Sequence, residues 1–234
     1  MQADTGARDS LSHRARVHPI RPLAGLAFVG GLAAISLLDQ PIHRATQQRN
    51  SSKDEVAEAF RHMGQPEVYA TVGLGTIAVG LIAGNDKIAM SGVRISSAVL
   101  MAGAGTQAVK RLLGRARPYQ TDHAWQFRPF NFKYDAFPSG HTAVAFALAT
   151  SISDEVHNTV VSIALYTAAT GTGWSRLNDD KHWFTDVVGG AVAGFASAKF
   201  VNGRWRIFGI SGPHILLGPG GGGASVTLPL PRIR

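Results

Sequence analysis

The sequence predicts an all-α protein, a six-helix transmembrane bundle. Two observations predict it. Six apolar stretches of helical length, 23–38, 68–84, 88–109, 142–153, 159–173 and 187–201, alternate with shorter polar segments. They are rich in Ala, Gly, Ser and Thr, the small residues that let membrane helices pack closely. A soluble helical bundle behind a cleaved leader is the competing reading, because Arg14, Arg16 and Arg21 precede the first stretch. Against it, no small-x-small cleavage site precedes Asp39.

Along the chain, residues 1–22 read as a basic tail, 23–202 as the helical domain and 203–234 as a Gly/Pro-rich tail. The third stretch is interrupted only by Arg94 near its start. Between the first two stretches, residues 42–62 are polar. Val56, Ala59, Phe60 and Met63 recur there at helical spacing, which predicts an amphipathic helix outside the spans. The tail holds "GPGGGGASVTLPLP", which cannot be helical and suits a flexible end or a short strand pair.

The composition excludes some chemistry. Without cysteine there is no disulfide, thiolate metal site or cysteine nucleophile. The formal charge of +8, from 23 Lys and Arg against 15 Asp and Glu, suits an anionic lipid or phosphate ligand. Nucleic acid is disfavoured, because the cations form short groups between apolar segments rather than a stripe.

Three polar clusters interrupt the apolar pattern. In "KRLLGRARP", Lys110 and Arg117 are seven residues apart, nearly two turns, so a continuous helix would point both the same way. "PSGH" opens the fourth stretch: Ser139 is a good N-cap, Gly140 leaves the backbone approachable, and His141 stands at a helix N-terminus that favours anions. In "SRLNDDKHWFTD", His182 and Asp186 are four apart, so the carboxylate can hold one ring nitrogen and leave the other as base or nucleophile. Singly, each has a plainer explanation. Lys110, Arg111, Arg115 and Arg117 can end a span at the headgroups. Arg176 and Lys181 can pair with Asp179 and Asp180. Alternating spans nevertheless put all three clusters on one face, where two histidines, a carboxylate, three cations and a helix start fit a tetrahedral oxyanion.

The three clusters resemble the three-part signature of the type 2 phosphatidic acid phosphatase superfamily. Lys110, six residues, Arg117 and Pro118 form the first part. Pro138 to His141 form the second. Ser175, Arg176, His182 and Asp186 form the third, and every defining position is present in order. The resemblance implies the helical bundle that this superfamily shares with vanadate-dependent haloperoxidases, and a membrane phosphatase acting on a lipid phosphate or pyrophosphate. It implies that His182 attacks phosphorus, Asp186 orients it, and His141 protonates the leaving oxygen and then activates water. Lys110, Arg117, Arg176, Ser139 and the Gly140 amide would cradle the phosphoryl oxygens, with no metal or other cofactor.

A soluble periplasmic acid phosphatase, a haloperoxidase with vanadate in the same pocket, or a non-catalytic scaffold are the alternatives. The aromatic loop with Trp125, Phe127, Phe130, Phe132 and Tyr134, together with Trp174 and Trp183, reads as membrane anchoring. The basic residues Arg8, Arg14, Arg16 and Arg21 place the N-terminus in the cytoplasm, so six crossings of a bacterial inner membrane would turn the site toward the periplasm.

Overall fold

The computed structural model describes residues 18–20, 22–48, 51–207, 210–217 and 224–227. Arg8, Arg14, Arg16 and Arg21 lie outside them, as does the glycine run. In chain order the elements are β1 (His18–Ile20), α1 (Pro22–Ile35), a 3₁₀ turn, α2 (Asp39–Thr46), α3 (Ser51–Met63), α4 (Pro66–Ile82), α5 (Asp86–Leu113), α6 (Gly140–Val156), α7 (Thr159–Asn178) and α8 (Phe184–Val201). The strands β2 (Trp205–Ile207), β3 (Ile210–Ser211), β4 (His214–Leu217) and β5 (Ala224–Thr227) follow.

Each of the six apolar stretches is a helix. Local chemistry sets their ends. Pro66 opens α4, where its missing N–H costs nothing. Asn85 caps α5 by accepting from the amides of Lys87 (3.1 Å) and Ile88 (3.2 Å). Asn158 caps α7 through the Val161 amide at 3.1 Å. Among the described residues, three helical segments are long and apolar enough to cross a membrane on length and composition alone: Pro22–Thr46, Asp86–Leu113 and Phe184–Val201. Large apolar side chains, among them Leu23, Val29, Leu74, Ile82, Leu100 and Ile163, stand exposed on α1, α4, α5 and α7. So much uncovered hydrocarbon suits lipid rather than water.

Small residues form the interior. α6 is central, packed against α5, α7 and α8, and Ala98, Ala102, Ala143, Ala147 and Ala198 are buried between them. Glycines bring α8 onto α6. A Cβ at Gly194 would lie 2.0 Å from the Ala143 carbonyl oxygen, and one at Gly190 would lie 2.4 Å from that of Ser139. Two backbones meet there, and neither can yield.

Two expectations need correction. The first apolar helix does not stop near residue 38 but continues through α2, so the polar 42–62 segment is split between α2 and α3. The buried face of α3 is also rotated. Ala57 and Phe60 turn inward, Phe60 lying against Gly171 of α7, while Val56 and Ala59 face out. The spacing argument found the right period but the wrong phase, because Ala57 is small enough to be covered completely.

The body is all-α, as expected, with short strands at its ends. β1 pairs in parallel with β2, which pairs antiparallel with β3. This joins residues 18–20 to 205–207, so the chain enters and leaves the bundle at one end. Of the two readings of the Gly/Pro-rich tail, the strand pair is seen: β4 and β5 are antiparallel, with Leu217 opposite Ala224.

Gly194→Ala should destabilise the protein by about 1–3 kcal/mol or more, since the added methyl meets backbone. Gly75→Ala, where nothing lies within 4 Å, should be neutral or slightly stabilising. Thermal unfolding in detergent measures both, and equal melting temperatures for the two variants would contradict the glycine contact.

Candidate active site

All three clusters meet at one end of the bundle, around a cavity of about 840 Å³ lined by Lys110, Arg117, Gly140, His141, Arg176 and His182. They arrive there by different local devices. Lys110 sits in the last turn of α5, which ends at Gly114 in the left-handed conformation, φ +56°. A side chain at Gly114 would strike the Arg128 carbonyl at 1.9 Å. Lys110 and Arg117 therefore do not share a helix face, as their spacing suggested. The chain turns at Gly114, and Arg117 returns from an extended segment. Asp135 joins the two cations: it receives a two-point fork from Arg117 at 2.7 and 2.8 Å, and its carbonyl accepts from the Lys110 ammonium.

Ser139 occupies the N-cap position of α6 as predicted, but its hydroxyl does not cap. It accepts from the Thr142 hydroxyl at 2.9 Å. Its amide donates to the carbonyl of Asp186 at 2.8 Å, tying the start of α6 to the start of α8. Gly140 is the first residue of α6, and a Cβ there would come no nearer than 3.8 Å to Thr106 and 3.9 Å to Lys110. The space above Lys110 is thus open. Arg176 ends α7, its guanidinium held by Asp179 at 2.5 Å.

His182 and Asp186 are not on one helix. His182 lies in the loop before α8, and Asp186, in the first turn, reaches back. Asp186 Oδ2 accepts from the Trp183 amide at 2.8 Å and stands 3.5 Å from His182 Nδ1. That distance is longer than a hydrogen bond. His182 is buried, and burial holds its imidazole down to about 4, with Lys110 and Arg117 adding to the effect and Asp186 opposing it. The ring is therefore neutral at pH 7, the form that can attack. Burial alone would raise the Asp135 carboxyl, but the Arg117 fork outweighs it and holds Asp135 below the usual carboxylate range.

Three participants were not singled out in the sequence. Arg115, which resembled a headgroup cation, is 3% exposed and bonded to Asp186 and to Asp39, both fully buried. A carboxylate closing an apolar span was the available signal for Asp39, because a buried charge there needs a partner. Asp135 left no such signal. Trp183 is buried rather than interfacial, its indole N–H donating to the Ala116 carbonyl at 2.9 Å. Trp125, Phe130 and Phe132 are exposed, as membrane anchors require. Among the described residues no cluster of His, Asp and Glu could hold a metal ion.

Comparison with known proteins extends this geometry. Over 82 residues the chain is 39% identical to a lipid A 1-phosphatase of Porphyromonas gingivalis, a match covering 34% of this chain and only 18% of that relative's length. The fold matches the crystal structure of Aquifex aeolicus LpxE with a TM-score of 0.55 at 20% identity, over 69% of this chain and 92% of that one. It also matches the crystal structure of a transmembrane PAP2 type phosphatidylglycerolphosphate phosphatase from Bacillus subtilis, with a TM-score of 0.55 at 23% identity, over 76% and 92% of the two chains. The family model of the PAP2 superfamily matches residues 91–206, the stretch that carries all three clusters, and the chain belongs to that superfamily.

Proposed function

We propose that the protein is a membrane enzyme that hydrolyses a lipid phosphate or lipid pyrophosphate through a phosphohistidine intermediate. One observation carries this reading. The cavity that holds the cations and both histidines continues without interruption along Ala70, Leu74, Val99, Leu100 and Val144, on α4, α5 and α6. A substrate that fills it has an anionic head and a hydrocarbon body. The lipid phosphatases to which the chain is similar support the same class. The catalytic unit is residues 23–202, with residues 1–22 and 203–234 as flanking tails. Asp39 and the α4 lining both lie outside the matched 91–206 segment yet face the site's network or cavity.

In this mechanism Lys110, Arg117 and Arg176, with Ser139 and the Gly140 amide, hold the non-bridging phosphoryl oxygens and neutralise their charge. The neutral His182 ring forms the N–P bond as the P–O bond to the lipid breaks. Burial, with Arg176, Lys110 and Arg117 beside it, holds His141 down to about 4. His141 takes up a proton as the phosphoryl anion enters and offsets those cations, and gives that proton to the departing oxygen. It then takes a proton from water, whose oxygen displaces His182 from phosphorus and releases phosphate. Asp186 orients His182 throughout. The cations supply the charge that a divalent metal supplies in other phosphatases.

The site faces the periplasm of a bacterial inner membrane. The basic residues ahead of α1 favour a cytoplasmic N-terminus, and the chain enters the bundle at the end remote from the site. Lys133, exposed in the loop beside the site, and Asp86, exposed at the start of α5, then lie on opposite sides. A cysteine at position 133 should react with an impermeant maleimide in spheroplasts, while one at position 86 should not. The reverse pattern would invert the topology, and labelling at both would point to a secreted soluble protein.

Phosphate release should be measured from phosphatidate, phosphatidylglycerophosphate, undecaprenyl pyrophosphate and lipid A phosphates. His182→Ala should lower turnover by roughly 10³-fold or more, because the nucleophile is lost. Asp186→Asn should cost less, and EDTA should leave activity intact while vanadate inhibits. His182→Ala activity within about tenfold of wild type would contradict covalent catalysis.

A further inference from the structure

Arg115 is fully engaged. Its Nε donates to the Ala124 carbonyl at 2.9 Å. One terminal nitrogen donates to the Thr185 hydroxyl (2.7 Å) and to Asp186 Oδ1 (2.6 Å). The other donates to Asp39 Oδ2 (2.6 Å) and again to Ala124 (2.7 Å). These contacts account for all five N–H groups of a guanidinium, so it cannot turn without breaking several. Asp39 is equally fixed: Oδ1 accepts from the Thr185 amide at 2.8 Å, and Oδ2, beside Arg115, also accepts from the Thr185 hydroxyl at 2.7 Å.

The network ends on the nucleophile's partner. Arg115 takes one oxygen of Asp186, the Trp183 amide takes the other, and that second oxygen is the one facing His182 Nδ1. The plane of the carboxylate is thus set from behind by Arg115. The charge it presents is set too. One guanidinium lies between two fully buried carboxylates, so the negative charge of Asp39 offsets part of the positive potential that Arg115 places on Asp186.

We propose that Arg115 and Asp39 are positioning residues for His182, Arg115 fixing the orientation of Asp186 and Asp39 tempering the positive charge that Arg115 places on it. Asp39 comes from the first membrane helix, outside the part of the chain that matches the family model. The first helix is thereby part of the catalytic apparatus and more than a membrane anchor. The inference rests on His182 being the nucleophile of the proposed phosphatase.

The two residues carry opposite charges, so their neutral variants should act oppositely on His182. Arg115→Gln removes a positive charge and leaves the imidazolium the whole negative charge of Asp186, so His182 should gain a proton at higher pH than in the wild type. Asp39→Asn removes a negative charge, and the His182 titration should move to lower pH. The other groups facing His182 are Asp186 on α8, Lys110 on α5, and Arg117 and Asp135 in the segment between α5 and α6. His141, Arg176 and Lys181 share its cavity, and neither substitution alters any of the seven.

Carbethoxylation by diethyl pyrocarbonate, which requires the neutral ring, reads this directly when followed at His182 by peptide mass spectrometry across pH. The midpoint should rise in Arg115→Gln and fall in Asp39→Asn. In parallel, kcat for phosphate release should drop roughly 10- to 100-fold in Arg115→Gln with KM close to wild type. Midpoints that coincide with the wild type, or that move the same way in both variants, overturn the proposal, as does an unchanged kcat in Arg115→Gln. If Arg115→Gln does not fold, Asp39→Asn decides by the direction of its shift. A wild-type protein that releases phosphate from no lipid would sink the proposed function, while the titration would still decide the role of this network.

Discussion

The close approach of α8 to the start of α6 is the constraint on which the site depends. Gly190 and Gly194 let the α8 backbone reach the carbonyls of Ser139 and Ala143, and the Ser139 amide then bonds the Asp186 carbonyl at 2.8 Å. That amide lies within the second cluster and that carbonyl ends the third. One backbone hydrogen bond between two glycine-fitted helices therefore fixes where His141 stands relative to His182. Side chains larger than hydrogen at Gly190 or Gly194 would part the two helices and, with them, His141 from His182.

Charge is arranged around this contact in two layers. The inner layer faces the cavity, and three cations there are already oriented by an oxygen: Arg117 by the Asp135 carboxylate, Lys110 by the Asp135 carbonyl and Arg176 by Asp179. Such cations are preorganised, so an anion entering the cavity would require little rearrangement of them. The outer layer is Asp39, Arg115 and Asp186, sealed from water. Buried ion pairs add little net stability when complete, but removing one partner costs about 3–5 kcal/mol because a charge is stranded. A network so expensive to break is suited to holding one geometry.

The sequence disclosed which residues gather more fully than the route by which they do so. Lys110, Arg117, Ser139, Gly140, His141, Arg176, His182 and Asp186 were legible because their types, order and spacing together form a rare pattern, and the structure brings all eight to one place. Six helices were legible from apolar length alone. The route by which residues converge was not. Seven-residue spacing suggested one helix face for Lys110 and Arg117, whereas Gly114 ends the helix between them, and a left-handed glycine looks like any other glycine in a sequence. Arg115 was read as a surface cation because its partners, Asp39 and Asp186, lie 76 and 71 residues away. Pairing at such separations is a property of the folded chain. The rotated face of α3 was missed for a similar reason, since Ala57 carries too weak an apolar signal to set the phase.

The central claim is that the buried, neutral His182 carries the phosphoryl group in turnover. Rapid acid-free denaturation during hydrolysis of a phosphorus-labelled lipid phosphate, followed by peptide mapping, tests it most directly. The account predicts an acid-labile, alkali-stable label on the peptide containing His182, and none on that peptide in His182→Ala. Phosphate release without any label on His182, or label on a serine or on His141 instead, would contradict it.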